Sequence, residues 1–201
     1  MNIRSLAIFA TLGLAACTSA PTHYYTLVPP ATDSTVRTNV AAPAFQFEMQ
    51  PVRIPVQVDQ PQVVVRHGDG ALALLETERW SAPLADEFHD ALANQMEFKL
   101  GMRDLAGLPK TSGLPILSLQ TDVRRFDSVA GQYALIDVVW SMSLRGDGAR
   151  RSLTCSSVIR QPGGTQVQDL VVAHQQAIGQ LANIIAGTAR SWSKQPGAGC
   201  P

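Results

Sequence analysis

The sequence predicts an α+β fold: a largely antiparallel β-sheet with two helices packed on one face. Two observations point there. Apolar residues alternate with polar ones in several separate stretches, the period of strands, and in two others the spacing changes to three and four, the period of helices. Gly/Asp turn signals sit between several of the alternating stretches, and such turns join antiparallel neighbours. One apolar sheet face then needs covering, and two amphipathic helices can cover it.

The elements follow in order. Residues 23–28 (HYYTLV) are aromatic and β-prone, the first expected strand. The Pro-, Thr- and Ala-rich run 29–43 has no periodicity and reads as a loop. Phe45, Phe47 and Met49 alternate with Gln46, Glu48 and Gln50, and this strand runs into Val52, Arg53 and Ile54. Pro55 then stops regular pairing or confines it to an edge. Residues 62–66 are mostly β-branched, His67-Gly68-Asp69-Gly70 carries a turn signal, and 71–75 returns as the partner strand.

At Ser81 the period changes. Ser81-Ala82-Pro83 reads as a helix start, with Ser81 as the cap and Asp86 and Glu87 favoured by the positive end of the helix dipole. Leu84, Phe88, Ala91, Leu92 and Gln95 follow at helical spacing to about Leu100, where Gly101 and Gly107-Leu108-Pro109 end the run. Three strands come next. Their expected inward faces are Leu117, Leu119, Thr121 and Val123; Ala134, Ile136, Val138, Trp140, Met142 and Leu144; and Leu153, Cys155, Ser157 and Ile159. Gly146-Asp147-Gly148 and Pro162-Gly163-Gly164 are the turns after the second and third of these strands. Val167, Val171, His174, Ile178, Leu181, Ile185, Thr188 and Trp192 then fall at alternating spacings of four and three, one stripe of a long amphipathic helix.

The N-terminus has a different character. Arg4 precedes a run of ten mostly apolar residues, 5–14, then Ala15, Ala16 and Cys17. A spanning helix needs about 20 apolar residues. The shorter run fits the h-region of a secretory signal peptide over residues 1–16. Leu14-Ala15-Ala16-Cys17 resembles the bacterial lipobox. That likeness implies removal of the leader, S-diacylglycerol and N-acyl groups on Cys17, and, with Thr18 rather than Asp next, an outer-membrane address. Several acyl chains anchor a protein firmly where one binds marginally. Residues 17–22 would be the tether.

Composition narrows the function classes. The formal charge is +0, and Lys99, Lys110, Lys194 and the scattered arginines form no basic stripe, so nucleic acid is not an expected partner. With Cys17 carrying lipid, Cys155 and Cys200 remain as an even pair in an oxidising compartment and are a disulfide candidate. The chain-entropy account values such a loop at about 4 kcal/mol. There is no HExxH, HxH or CxxC metal motif, no GxSxG elbow and no GxxxxGK[ST] loop. His89 reads as part of a solvated helix face and His174 as a core histidine. Asp122 and Asp127, close to Arg124 and Arg125, read as a salt-bridged surface. No catalytic residue, metal or cofactor is expected. Trp140 and Trp192 fall on inward faces, whereas Trp80 stays open between core and surface.

Residues 52–66 read VRIPVQVDQPQVVVR, and residues 79–84 read RWSAPL. With the LAAC box and the HYYTL strand ahead of them, these pieces resemble the PqiC/YmbA family of ABC-type transport auxiliary lipoproteins. The family pattern is similar to V-x-[LI]-P-x-[YV]-[LV]-[DA]-x-[PN]-x-[IV]-V-x-R, followed by a [RL]-W-[AS]-x-P-L helix start. VQVD departs from the commoner YLD, and Cys155 and Cys200 are not part of the pattern. The resemblance implies one auxiliary-lipoprotein domain over residues 23–195, followed by a tail, 196–201. It also implies a non-enzymatic subunit of intermembrane phospholipid transport at the periplasmic face of the outer membrane. Its partners would be an MCE-domain protein and an inner-membrane transport subunit, and a homo-oligomer is compatible with that role. Val56, Asp59, Pro61 and Trp80 are the candidate contacts. A general envelope-assembly or efflux accessory lipoprotein without lipid cargo is the alternative.

The lipobox reading is checked by labelling cells with radioactive palmitate. The wild-type protein should take the label and Cys17→Ser should not. Label retained on the variant would place the lipid elsewhere.

Overall fold

The structure, a computed structural model, describes residues 20–30, 45–68, 70–146, 149–195, 197 and 199–201. The expected leader, Cys17 and most of the 29–43 run therefore lie outside the described residues, as do Asp69 and Asp147-Gly148 of two expected turns.

The strands are β1 (His23–Tyr25), β2 (Gln46–Met49), β3 (Gln62–His67), β4 (Ala71–Trp80), β5 (Ile116–Val129), β6 (Tyr133–Gly146) and β7 (Ala149–Pro162). Helix α1 (Leu84–Leu100) lies between β4 and β5, and α2 (Val167–Lys194) follows β7. The α+β class holds, and most strand pairs are antiparallel. The strands nevertheless form two sheets where one was expected, ordered β2-β5-β6-β7 and β1-β4-β3. The two shortest strands also pair in parallel, β1 with β4 and β2 with β5. Parallel neighbours need a long crossover and leave no turn signal in the sequence, so local reading assigned these strands no partner.

The antiparallel pairs β5–β6 and β6–β7 contribute most of the strand pairing. Their inward residues are the expected ones as far as Val123. A register shift between Val123 and Arg125 follows, and past it Phe126 and Ser128 take the inward positions. Such a shift re-aims side chains locally. In β2, Phe47 and Met49 enter the core as the alternation predicts, but Gln46 and Glu48 are buried as well. The segment after α1 covers them: Gln46 exchanges hydrogen bonds with Thr111, and Glu48 bonds Lys110.

Helix α1 begins at Leu84, with Pro83 as the residue before it and no side-chain cap bond. The expected cap, Ser81, donates instead to the Glu87 carboxylate. At the other end Gly101 takes φ 72°, the left-handed conformation that a glycine accepts without a Cβ clash, and its N–H donates to the Glu97 carbonyl. Helix α2 buries its predicted stripe from Val171 to Trp192 and adds Ala173, Ala177, Ala182, Ala186 and Ala189. The wider face exists because α2 packs on α1 as well as on β6 and β7. Alanines permit that close approach. Gly164 is needed before α2, since a Cβ there would lie 2.2 Å from Asp169 Oδ2. Cys155 of β7 and Cys200 of the tail are joined by a disulfide, with their Cα atoms 5.6 Å apart.

Leu181 is buried at the centre of α2, in the single core cluster formed by both helices and both sheets. Leu181→Ala should lower stability by about 2–5 kcal/mol in urea unfolding. A loss below about 0.5 kcal/mol, the surface scale, would show that α2 does not close this core.

Candidate contact surfaces

Residues 55–61 form a tight loop. Backbone N–H groups of Val58 and Asp59 both donate to the Pro55 carbonyl, at 3.0 and 3.1 Å. Nε2 of Gln60 donates to the Val56 carbonyl at 3.1 Å. Val58 turns inward and is buried, while Val56 is 75% exposed and Asp59 and Pro61 are also exposed. The loop thus presents an apolar side chain and a carboxylate from a backbone fixed by its own hydrogen bonds. Prolines at both ends reduce the conformational freedom lost when it is ordered.

Trp80 belongs elsewhere. The structure joins it to this loop through its backbone N–H, which donates to the Pro61 carbonyl at 2.9 Å. The residue, however, is only 5% exposed, and its ring meets Phe126 edge-on at 6.2 Å. Burial against Phe126 leaves the Trp80 side chain little surface to offer a partner. Phe88 also meets Phe126 edge-on, at 6.5 Å, and His174 stacks on its face at 3.8 Å. Val52, Val58, Val63, Val64, Val65 and Leu84 are buried too. The apolar positions of the two motif stretches therefore largely build the interior, and Val56, Asp59 and Pro61 are the candidates that remain on the surface.

The motif also fixes the N-terminal strand. Glu87 is buried in the first turn of α1. Its carboxylate accepts from the Thr26 hydroxyl at 2.7 Å, the Leu27 N–H at 2.8 Å and the Ser81 hydroxyl at 2.5 Å. Sequence reading assigned Glu87 only to the helix dipole. Its distant donors, about 60 residues earlier in the chain, left no local signal.

Two further charged clusters brace the sheet. Asp127 is buried and pairs with Arg66 of β3 at 3.0 Å and with Arg125. It therefore ties the two sheets together rather than lying on an open surface, while Asp122 and Arg124 do form a surface pair at 3.2 Å. Glu48 pairs with Lys110 and Arg145, both at 2.9 Å, and accepts from Ser118. Beside it lies an open concavity of about 300 Å³, lined by Gln50, Ser141, Ser143, Arg145, Arg150 and Ser152 among others. These hydroxyls, amides and guanidinium groups suit a polar protein surface better than an apolar ligand.

One pair resembles catalytic machinery. Ser128 Oγ and His174 Nε2 lie 2.9 Å apart, the spacing of a nucleophile and its base. They are 2% and 0% exposed, Phe126 stacks on the imidazole, and His174 Nδ1 has no partner among the described residues. A working dyad needs access for substrate and a group orienting the base. This pair has neither in the structure and serves as a buried polar contact between β5 and α2. His89 lies partly exposed beside Asp90 on α1. Among the described residues no group of three or more His, Cys, Asp or Glu side chains could hold a metal ion, and no helix is long and apolar enough to cross a membrane.

A family model described as the ABC-type transport auxiliary lipoprotein component matches residues 25–186. No curated protein matches the chain. Among solved structures, a Xanthomonas campestris protein assigned to the DUF330 family is 22% identical, with a TM-score of 0.59 and coverage of 89% of this chain and 97% of its own. Another, described as an uncharacterized protein, is 17% identical, with a TM-score of 0.60 and coverage of 84% and 98%. At these identities the likeness is one of fold.

His174 and Glu48 make stability pH-dependent with the same sign. Burial lowers the His174 pKa from 6.5 to about 3, against a smaller upward pull from Asp127. The unfolded chain then binds a proton that the folded chain refuses, so stability falls as pH drops from 6.5 towards 3. For Glu48, burial raises the pKa, but Lys110, Ser118 and Arg145 together outweigh it and hold the carboxyl below its ordinary 4.5. Its contribution is full above that value and is lost as pH falls further. Urea titrations at pH 6.5 and 5 should show a fall that His174→Leu flattens. An unchanged slope in that variant would assign the pH dependence to other groups.

Proposed function

The chain belongs to the family of ABC-type transport auxiliary lipoprotein components, and from that premise we propose that it is an outer-membrane-anchored subunit of an MCE-type, Pqi-like system moving phospholipid between membranes. It faces the periplasm and docks or stabilises the conduit formed by an MCE-domain protein, while an inner-membrane subunit drives transport. It carries no chemistry of its own. The observation that carries this reading is the family match over residues 25–186, which runs from β1 into α2 behind the LAAC box.

The surface offered to the partner is the 55–61 loop. Val56 supplies apolar contact area and Asp59 a charge, and neither is used by the chain's own core. Surface substitutions away from caps and buried pairs change stability by about 0.5 kcal/mol or less. Binding and folding can therefore be separated at these positions.

Photo-crosslinking residues placed at Val56 and Asp59 in cells should capture the MCE-domain protein. Asp59→Lys should weaken co-purification with that protein while its Tm stays near wild type. Capture of other envelope proteins alone would favour a general accessory lipoprotein. No capture from any position between 55 and 61 would remove the loop from the docking role.

A further inference from the structure

The β3–β4 hairpin carries an apolar end that the core does not absorb. Leu72 and Leu74 are 36% and 45% exposed, and Ala71 beside them is exposed too. Residues 71–75 read ALALL, without a charge or a polar side chain. This end is braced: Arg66, cross-strand from Leu72, reaches Asp127 of β5 at 3.0 Å.

The direction of the N-terminal chain gives this patch a neighbour. β1 runs parallel to β4 and pairs with it only from Glu78 to Trp80. The chain ahead of His23 therefore leaves the sheet towards the end of β4 that bears the leucines. Among the described residues nothing pairs with β4 on that side from Ala71 to Thr77.

Two lengths then coincide. Cys17 stands six residues before His23, a reach of about 20 Å when fully extended. β4 continues six residues beyond Glu78 in the same direction to Leu72, Thr77 back to Leu72, again about 20 Å at the rise of a strand. The residue that would carry the lipid thus reaches no further than the level of Leu72 and Leu74. A tether this short cannot hold the anchor in a bilayer and keep the hairpin end far from it, unless the chain doubles back.

We propose that the end of the β3–β4 hairpin is a membrane-contact element, with Leu72 and Leu74 entering the interface of the bilayer that holds the lipid on Cys17. This rests on the lipid-anchor reading above. Apolar side chains gain by leaving water for that interface. The covalent anchor keeps them beside it, so a contact too weak to bind alone is populated through effective concentration. A braced hairpin and a short tether together fix how the domain stands on the membrane, and with it the direction in which the 55–61 loop points.

The test uses the full-length lipidated protein in vesicles of phosphatidylethanolamine and phosphatidylglycerol, with and without bromine on the acyl chains. Leu74→Trp is compared with Val158→Trp, an exposed position on β7 in the other sheet, after subtraction of wild-type fluorescence. Brominated lipid should quench the tryptophan at 74 at least two-fold more than the one at 158, with both proteins floating with the vesicles. Leu72→Trp repeats the measurement in case the first substitution disturbs the hairpin. Equal quenching of floating proteins would overturn the insertion and leave the anchor standing. Shielding from acrylamide without quenching by brominated lipid would assign the patch to a second copy or another protein. If the wild-type protein fails to float, the anchor reading falls and this inference falls with it.

Discussion

A buried carboxylate joins the beginning of the chain to its body. Glu87 accepts hydrogen bonds from Thr26, Leu27 and Ser81. A carboxylate removed from water is costly unless donors satisfy it, and donors to a charged acceptor form the stronger class of hydrogen bond. Here the donors come from the segment after β1 and the segment before α1. One side chain therefore holds the N-terminal strand, the end of β4 and the first turn of the helix. Two backbone bonds run alongside, from Ser81 to Tyr25 and from Trp80 to Pro61. A pull on the N-terminus passes into the core through this joint together with the β1–β4 pairing and the Glu78 bonds to His23 and Tyr25.

The aromatic group beneath the joint gives it something rigid to rest on. Phe126 is met edge-on by Trp80 and Phe88 and face-on by His174, so β4, α1, β5 and α2 converge on one ring. Edge-to-face pairs add to the area the rings bury. The neutral imidazole is as much packing surface as hydrogen-bond partner, which explains why a histidine with one nitrogen unpartnered among the described residues is tolerated there. RWSAPL is therefore a structural motif first: Trp80 and Leu84 are buried, and the Ser81 hydroxyl bonds the buried Glu87. The neighbouring VRIPVQVDQPQVVVR stretch divides its labour, with Val58 and Val63 to Val65 buried and Val56 and Asp59 left outside.

What the sequence disclosed follows from the range of each interaction. The long helices and β5 to β7 were legible because their periods repeat within a dozen residues and their turns are local. Trp140 and Trp192 went inward for the same reason. The pairing of β1 with β4 and of β2 with β5 was not legible, because each short strand joins a partner about 55 or 70 residues away with no turn between them. Glu48 reads as a solvent-facing position in an alternating strand, yet a distant lysine and arginine neutralise it under cover. Trp80 stood at the boundary of two elements, where periodicity assigns no face. Ser128 lay past a register shift that alternation cannot foresee, so its contact with His174 carried no sequence signal. Val56 and Asp59 lie between Pro55 and Pro61, outside any helical or strand period, and they stay exposed while Val58 turns inward.

The joint can be probed directly by amide hydrogen exchange on wild type and Glu87→Ala. The alanine leaves the buried Leu27 N–H without its acceptor, a loss of about 1–3 kcal/mol, while the hydroxyls of Thr26 and Ser81, both exposed residues, can turn to water. Protection at Leu27, whose N–H bonds the carboxylate, should collapse together with that of β1, while amides in β5 and β6 keep protection close to the variant's global stability. Unchanged protection at Leu27, or loss spread evenly over every strand, would contradict the view that Glu87 couples the N-terminal strand to an otherwise independent core.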